Sequence, residues 1–154
     1  MRRRVLFATR VALVLWLAAD MSLAADRGTP AQARNMLLQA IAHYKAVGRK
    51  QALADFTARK PPFGDRDLYV FCLGPDHTLV ADGGFPEIIG VSEDSVVDVH
   101  GRGLGSAARQ ATEAGGEAMI RYRWVNPTTH VLESKIAFFA RVGADLCGVG
   151  AYIP

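Results

Sequence analysis

Apolar residues between positions 30 and 60 recur every three or four residues, a spacing that predicts two helices. The first helix begins at Thr29-Pro30, because Thr29 and Gln32 form a capping box and Pro30 suits the first helical position. It ends at Gly48, and its apolar face consists of Met36, Leu37, Ala40, Ile41, Tyr44 and Val47. A second, shorter helix ends at the segment 60–64, and its apolar residues are Ala52, Leu53 and Phe56.

From residue 67 onward the pattern changes to short runs of branched and aromatic residues, which predict strands. Turns rich in Gly, Pro, Asn and Asp separate the five predicted strands, which cover 67–73, 78–81, 117–124, 131–142 and 146–153. The segment 82–116 contains eight Gly and is irregular, with one short helix predicted from Ser106 to Ala114. Helices followed by a run of strands predict an α+β fold with a largely antiparallel sheet.

The first 24 residues have the pattern of a secretory signal peptide. Four Arg precede a nine-residue uncharged run from Val11 to Ala19, and Ser22-Leu23-Ala24 has the small-x-small spacing of a cleavage site. Retention as a membrane anchor is the alternative, although Arg10 interrupts the apolar stretch. We expect cleavage after Ala24 or Ala25. The mature protein, residues 25–154, is then a single domain that is secreted, or periplasmic in a Gram-negative source.

The net charge of +3 lies entirely within the predicted signal peptide. Residues 1–24 contain four Arg and one Asp, so the remaining chain has 14 basic and 14 acidic residues. A domain without a basic excess has little of the electrostatic field that attracts polyanions. We therefore expect no nucleic-acid partner.

Sequence motifs for catalysis or metal binding are missing. The four His stand at spacings that fit no metal motif, and neither G-x-S-x-G nor S-x-x-K occurs. The segment 101–105 resembles part of a dinucleotide fingerprint, but the βαβ unit that such a fingerprint requires is not predicted. We expect a protein that is not an enzyme and that has no metal or cofactor.

Cys72 and Cys147 are the two cysteines of the chain, and both lie in predicted strands. In an oxidising compartment they can form one disulfide. They can equally remain as buried free thiols that pack as small apolar groups. The sequence leaves both possibilities open.

Strand alternation places two aromatic residues and one cation on the same face of the predicted sheet. Tyr122 and Trp124 share a face of one strand, and Lys135 lies on the next strand, which the turn at Asn126-Pro127 makes antiparallel. Such a group can bind a small carboxylate, because the rings exclude water and the ammonium supplies the opposite charge. The alternative is that the aromatic residues belong to the core and that Lys135 is a solvated surface lysine.

The chain from Asp67 onward resembles the single Cache domain of the second type, a bacterial extracytoplasmic sensor module. Four pieces carry the resemblance, in this order: 67–84, 85–92, 119–143 and 145–153. The features in them that are typical of the family are Phe85-Pro86, the segment Tyr122 to Pro127, Lys135, and the ending Gly148 to Tyr152. The N-terminal helices match the family in their apolar pattern more than in their individual residues. Two segments depart from the family, and both concern the rim of its pocket: Asp98 to Gly101, and Glu133-Ser134 before the lysine.

The resemblance implies a PAS-like α+β fold, in which a five-stranded antiparallel sheet carries the long N-terminal helix on one face. The opposite face and the long loop would enclose a pocket for a small organic ligand, often a short carboxylate. In that pocket Lys135 would pair with the anion, Tyr122 and Trp124 would form walls, and Phe71 or Tyr69 would contribute from the first strand.

The strand order of this fold makes the strands of Cys72 and Cys147 neighbours, so a cross-strand disulfide is possible if both side chains share a face. The chain ends one residue after the last strand, so we expect a stand-alone domain for sensing or signal transduction. Two other functions stay open: an interaction module that docks on a membrane receptor or transporter, and an unrecognised enzyme.

Overall fold

Two helices cover one face of an antiparallel sheet in the computed structural model, which describes residues 27–97, 100–101 and 103–154. The predicted signal peptide lies outside the described residues. Within those ranges, every helix is too short or too polar to cross a membrane.

The N-terminal helices form where the sequence predicts them. Helix α1 spans Pro30–Val47 and α2 spans Arg49–Thr57. The capping box is present, because Thr29 Oγ1 accepts from the Gln32 backbone and Gln32 Oε1 accepts from the Thr29 backbone. Gly48, with φ of +81°, separates the helices. One apolar residue of the predicted face, Val47, is 41% exposed because it lies in the last turn of α1.

The sheet contains the five predicted strands and one short additional strand. Its strands are β1 (Gly64–Asp65), β2 (Leu68–Leu73), β3 (Leu79–Asp82), β4 (Glu117–Val125), β5 (Leu132–Val142) and β6 (Asp145–Ile153). The spatial order is β1-β2-β6-β5-β4, with β3 also paired to β2, and every pairing is antiparallel. The two-residue strand β1 was not predicted, since two residues carry no period that a sequence pattern can show.

The long connection between β3 and β4 contains two short 3-10 turns, Pro86–Ile88 and Glu93–Ser95, and helix α3, Leu104–Ala111. The prediction for α3 was displaced toward the C-terminus, at Ser106 to Ala114. The helix ends at Thr112, whose hydroxyl donates to the Ala108 carbonyl oxygen, and Gly115 then turns the chain with φ of +83°.

The alternation of side chains divides the core into two layers. Leu68, Val70 and Cys72 of β2 pack beneath α1 and α2, whereas Phe71 and Leu73 belong to the layer on the opposite face. Helix α3 and the long connection cover that opposite face. The fold therefore matches the prediction of a helix on one face and a loop-covered space on the other.

A disulfide joins Cys72 and Cys147. The two residues are directly opposite in the β2–β6 register, and their Cα atoms are 4.1 Å apart. This separation is near the ~4.5 Å of a non-hydrogen-bonded antiparallel pair. Both side chains belong to the helix-side layer, so the bond lies on the opposite face of the sheet from the loop-covered space.

Candidate functional site

Lys135 reaches into the loop-covered space from the middle of the sheet. It lies on β5, pairs with Tyr152 of β6, and is 1% exposed. The neighbouring Gly150 makes room for its side chain, because a Cβ at that position would stand 2.4 Å from Lys135 Cε. Gly148 makes room for Phe71 in the same way, because a Cβ at position 148 would stand 2.7 Å from the Phe71 ring. These two glycines open a groove in the sheet surface that the lysine and the phenyl ring fill.

The Lys135 ammonium is surrounded by aromatic side chains. Nζ donates hydrogen bonds to Tyr69 Oη at 2.8 Å and to Tyr152 Oη at 3.4 Å. It also lies 4.1 Å from the centre of the Tyr69 ring and 5.4 Å from that of Phe71. Among the described residues, no carboxylate oxygen comes within 4.0 Å of Nζ. The cation therefore has hydroxyl and ring partners there, and no ion pair.

Burial lowers the pKa of Lys135 to about 7, and the more distant charges of Asp82 and Asp67 oppose this shift only in part. The amine consequently changes between its neutral and charged forms near neutral pH. An anion bound against Nζ would stabilise the charged form, and the pKa of Lys135 would rise.

Asp82, at the end of β3, is the second buried charged group of this site and is 4% exposed. Its Oδ1 accepts hydrogen bonds from the backbone N–H groups of Gly84 and Phe85, at 2.7 and 2.8 Å. Its Oδ2 has no hydrogen-bond partner among the described residues. Burial raises the pKa of Asp82, while the two backbone donors and Lys135 act in the opposite direction.

Lys135 and Asp82 line one cavity between the sheet and the long connection. Its volume is about 40 Å³, and on that scale one water molecule needs roughly 10–15 Å³. The sheet contributes Tyr69, Phe71, Leu73, Leu79, Asp82, Tyr122, Trp124, Lys135 and Phe139. The connection and α3 contribute Ile88, Val96, Leu104 and Gly105. The cavity is therefore small and mostly apolar, with its charged groups on the sheet side.

An apolar surface groove adjoins this cavity. Ile88, Val96 and Trp124 line both the cavity and the groove. The groove continues along the exposed residues Val91 and Val97. The cavity and the groove therefore have the Trp124 side chain as a common wall.

A buried ion pair holds the long connection against the rest of the domain. Glu93, 2% exposed, accepts from Arg109 Nε at 2.8 Å and contacts His77 Nδ1 at 2.7 Å. Arg109 also donates to the Gly74 carbonyl oxygen. The connection between β3 and β4 is thus tied to α3 and to the β2–β3 turn, and this tie holds the part of the connection that covers the cavity.

The structure brings all five predicted site residues to one cavity: Tyr69, Phe71, Tyr122, Trp124 and Lys135. The alternative that Lys135 is a solvated surface residue is wrong, because its side chain is buried beneath the rings of two other strands. The prediction did not include the second charged group, Asp82, or the hydrogen-bond acceptor Tyr152. It also did not include the covering residues Ile88, Val96 and Leu104.

The two departures from the family pattern have different outcomes. Asp98 lies outside the described residues, while Glu133 forms an ion pair with Arg27 at 2.6 Å. Glu133 thus ties the start of β5 to the chain before α1. Within the described ranges, no group of three His, Cys, Asp or Glu side chains could hold a metal ion.

Comparison with known proteins gives a family and a fold. The model of the family "Single Cache domain 2" matches residues 43–144. The search of curated proteins found no significant match.

Three solved structures share the fold at low sequence identity. A methyl-accepting chemotaxis protein from Vibrio parahaemolyticus RIMD 2210633 is 14% identical, with a TM-score of 0.65 over 92% of this chain and 97% of that one. A periplasmic sensor domain of a chemotaxis protein is 19% identical, with a TM-score of 0.61 over 93% and 100%. A Cache chemosensory domain, described for its carboxylic acid recognition, is 15% identical, with a TM-score of 0.60 over 94% and 100%.

Proposed function

The chain belongs to the single Cache domain 2 family, and on this premise we propose that it is an extracytoplasmic sensor domain that binds a short carboxylate against Lys135. Domains of this family are typically binding modules without catalytic activity. The observation that carries the proposal is the Lys135 ammonium, which is 1% exposed and has no carboxylate partner within 4.0 Å among the described residues. A buried cation without an anion raises the free energy of the folded protein, and a ligand carboxylate that pairs with it offsets much of this cost.

The size and lining of the cavity support a short organic acid. The volume of about 40 Å³ leaves room for only a few heavy atoms. The rings of Trp124 and Phe139 can contact an apolar end while the carboxylate meets Lys135. A distant relative of the same fold is known for carboxylic acid recognition, which supports the same ligand class here.

Two observations support a location outside the cytoplasm. The fold is shared with a periplasmic sensor domain, and Cys72 and Cys147 are joined in a disulfide, a bond that persists in oxidising compartments. The predicted signal peptide agrees with both. We propose that the mature domain senses its ligand in the periplasm or outside the cell.

The Lys135→Met variant tests the proposal. Acetate, propionate, pyruvate and lactate are titrated at pH 6.5, with propionamide as the uncharged analogue, and affinities are measured by calorimetry and thermal shift. We expect at least one acid to bind and propionamide to fail. Because a hydrogen bond to a charged group contributes roughly 1.5–3 kcal/mol, Lys135→Met should weaken binding by about tenfold to a hundredfold.

The matched control is Lys50→Met, which removes an exposed lysine from α2 and should leave affinity unchanged. The ligand-free Lys135→Met protein should be at least as stable as wild type, since Met fills a similar volume without a buried charge. Equal affinity of Lys135→Met and wild type for every acid that binds would refute the site, and the absence of any carboxylate binding would refute the ligand class.

A further inference from the structure

The cavity contains a second polar group that a simple carboxylate would leave unused. Asp82 is 4% exposed, and its Oδ2 has no hydrogen-bond partner among the described residues. Asp82 lines the same cavity as Lys135, yet no oxygen of Asp82 lies within 4.0 Å of Lys135 Nζ. Both charged groups therefore face one cavity without forming an ion pair with each other.

The charges of the cavity restrict which carboxylate fits. A carboxylate placed against Lys135 approaches the Asp82 carboxylate as well, and two like charges in an apolar cavity repel each other. A hydrogen-bond donor on the ligand, placed against Asp82, offsets this repulsion with a charge-assisted hydrogen bond. The position nearest to the carboxylate that can carry such a donor is carbon 2, the carbon to which the carboxylate is bonded.

We propose that Asp82 Oδ2 accepts a hydrogen bond from a hydroxyl or ammonium on carbon 2 of the ligand, so that the site selects short 2-hydroxy or 2-amino acids over unsubstituted and 2-oxo acids. This inference rests on the proposed function, since it assigns the second recognition group of the same site. Both ligand types share one chemistry, a donor next to the carboxylate. The small volume of the cavity favours a ligand whose remaining part is short.

Asp82 has a structural role that the test must leave intact. Its Oδ1 accepts from the backbone of Gly84 and Phe85 and so shapes the turn that leads into the long connection. Asn keeps an oxygen for these two bonds and replaces Oδ2 with an amide NH₂ group, which donates instead of accepting. Asp82→Asn therefore changes the recognition chemistry and preserves the turn.

The test compares four three-carbon acids that differ at carbon 2: propionate, pyruvate, L-lactate and L-alanine. In wild type, lactate or alanine should bind roughly tenfold to a hundredfold more tightly than propionate and pyruvate, as expected for a hydrogen bond to a charged acceptor. In Asp82→Asn this preference should fall to within a few-fold, and pyruvate should gain affinity because its oxo group accepts from the new NH₂. If Asp82→Asn loses more affinity for alanine than for lactate, the ammonium is the native donor. If it loses more affinity for lactate, the hydroxyl is the native donor.

Two outcomes would overturn the inference. The first is wild-type protein that binds propionate as tightly as lactate and alanine, a result that needs no variant and stands even if Asp82→Asn fails to fold. The second is a folded Asp82→Asn variant that keeps the wild-type preference. If propionate binding depends on Lys135 but lactate and alanine bind no more tightly than propionate, only the role of Asp82 is refuted, and the proposed function stands. Failure of all four acids to bind would refute the proposed function with it.

Discussion

Replacement of both Cys72 and Cys147 by Ala is expected to lower the free energy of unfolding by about 4–5 kcal/mol. The disulfide joins positions 75 residues apart in the sequence. A crosslink that closes so long a loop removes much of the conformational entropy of the unfolded chain. Since domains of this size are stable by only about 5–15 kcal/mol, the variant should lose a large share of its stability.

Urea unfolding of wild type and the Cys72→Ala/Cys147→Ala variant measures this loss, and reduced wild type is the control because it removes the bond without changing the side chains. Ligand affinity of the folded variant should be unchanged, because both cysteines pack on the helix side of the sheet. A loss below about 1 kcal/mol would show that the bond adds little to what the sheet already supplies.

Replacement of Arg109 by Leu is expected to destabilise the domain by roughly 3–5 kcal/mol. The variant leaves Glu93, 2% exposed, with His77 as its remaining side-chain partner. A buried carboxylate that has lost its arginine is costly. Because the same connection carries Ile88 and Val96 to the cavity, ligand affinity should fall as well.

A double-mutant cycle isolates the ion pair from other effects of these substitutions. Glu93→Leu/Arg109→Leu should recover much of the stability lost in Arg109→Leu, because the double variant removes both buried charges. The matched control is Arg121→Leu, an exposed arginine on β4, which should change stability by less than about 0.5 kcal/mol. If the double variant were no more stable than Arg109→Leu, the loss would come from packing or from the bond to Gly74.

The face of the sheet on which a residue lies could be predicted from the sequence, because strand alternation is a local property. Tyr122, Trp124 and Lys135 share a face for this reason. Strand alternation alone did not predict the burial of Lys135, because this burial depends on residues of other strands, namely Tyr69 of β2 and Gly150 of β6. Their positions follow from a sheet order that no local pattern reveals. Only the family resemblance implied a pocket around Lys135.

Three other features also depend on contacts between residues that are distant in the sequence. Asp82 could be recognised as a turn residue before two glycines, but its place in the cavity follows from the pairing of β3 with β2. The bond between Cys72 and Cys147 follows from the β2–β6 register, in which they are opposite. The ion pair of Glu93 with Arg109 joins a 3-10 turn to α3, and no local pattern indicates that these two residues meet.

If the Lys135 ammonium binds the ligand carboxylate, the protein should take up a proton when the ligand binds. Burial lowers the pKa of free Lys135 to about 7, so above pH 7 most of the free protein has a neutral amine. An anionic ligand binds the protonated form, so complex formation at pH 8 should take up about one proton. By the same linkage, affinity should fall by up to about tenfold for each pH unit above 7.

Calorimetric titration with the tightest-binding acid at pH 8, in two buffers of different ionisation enthalpy, measures this uptake. We expect an uptake close to one proton in wild type and none in Lys135→Met. Binding by wild type with no proton uptake from pH 7 to 9, and with an affinity independent of pH, would contradict the claim that Lys135 is the partner of the carboxylate.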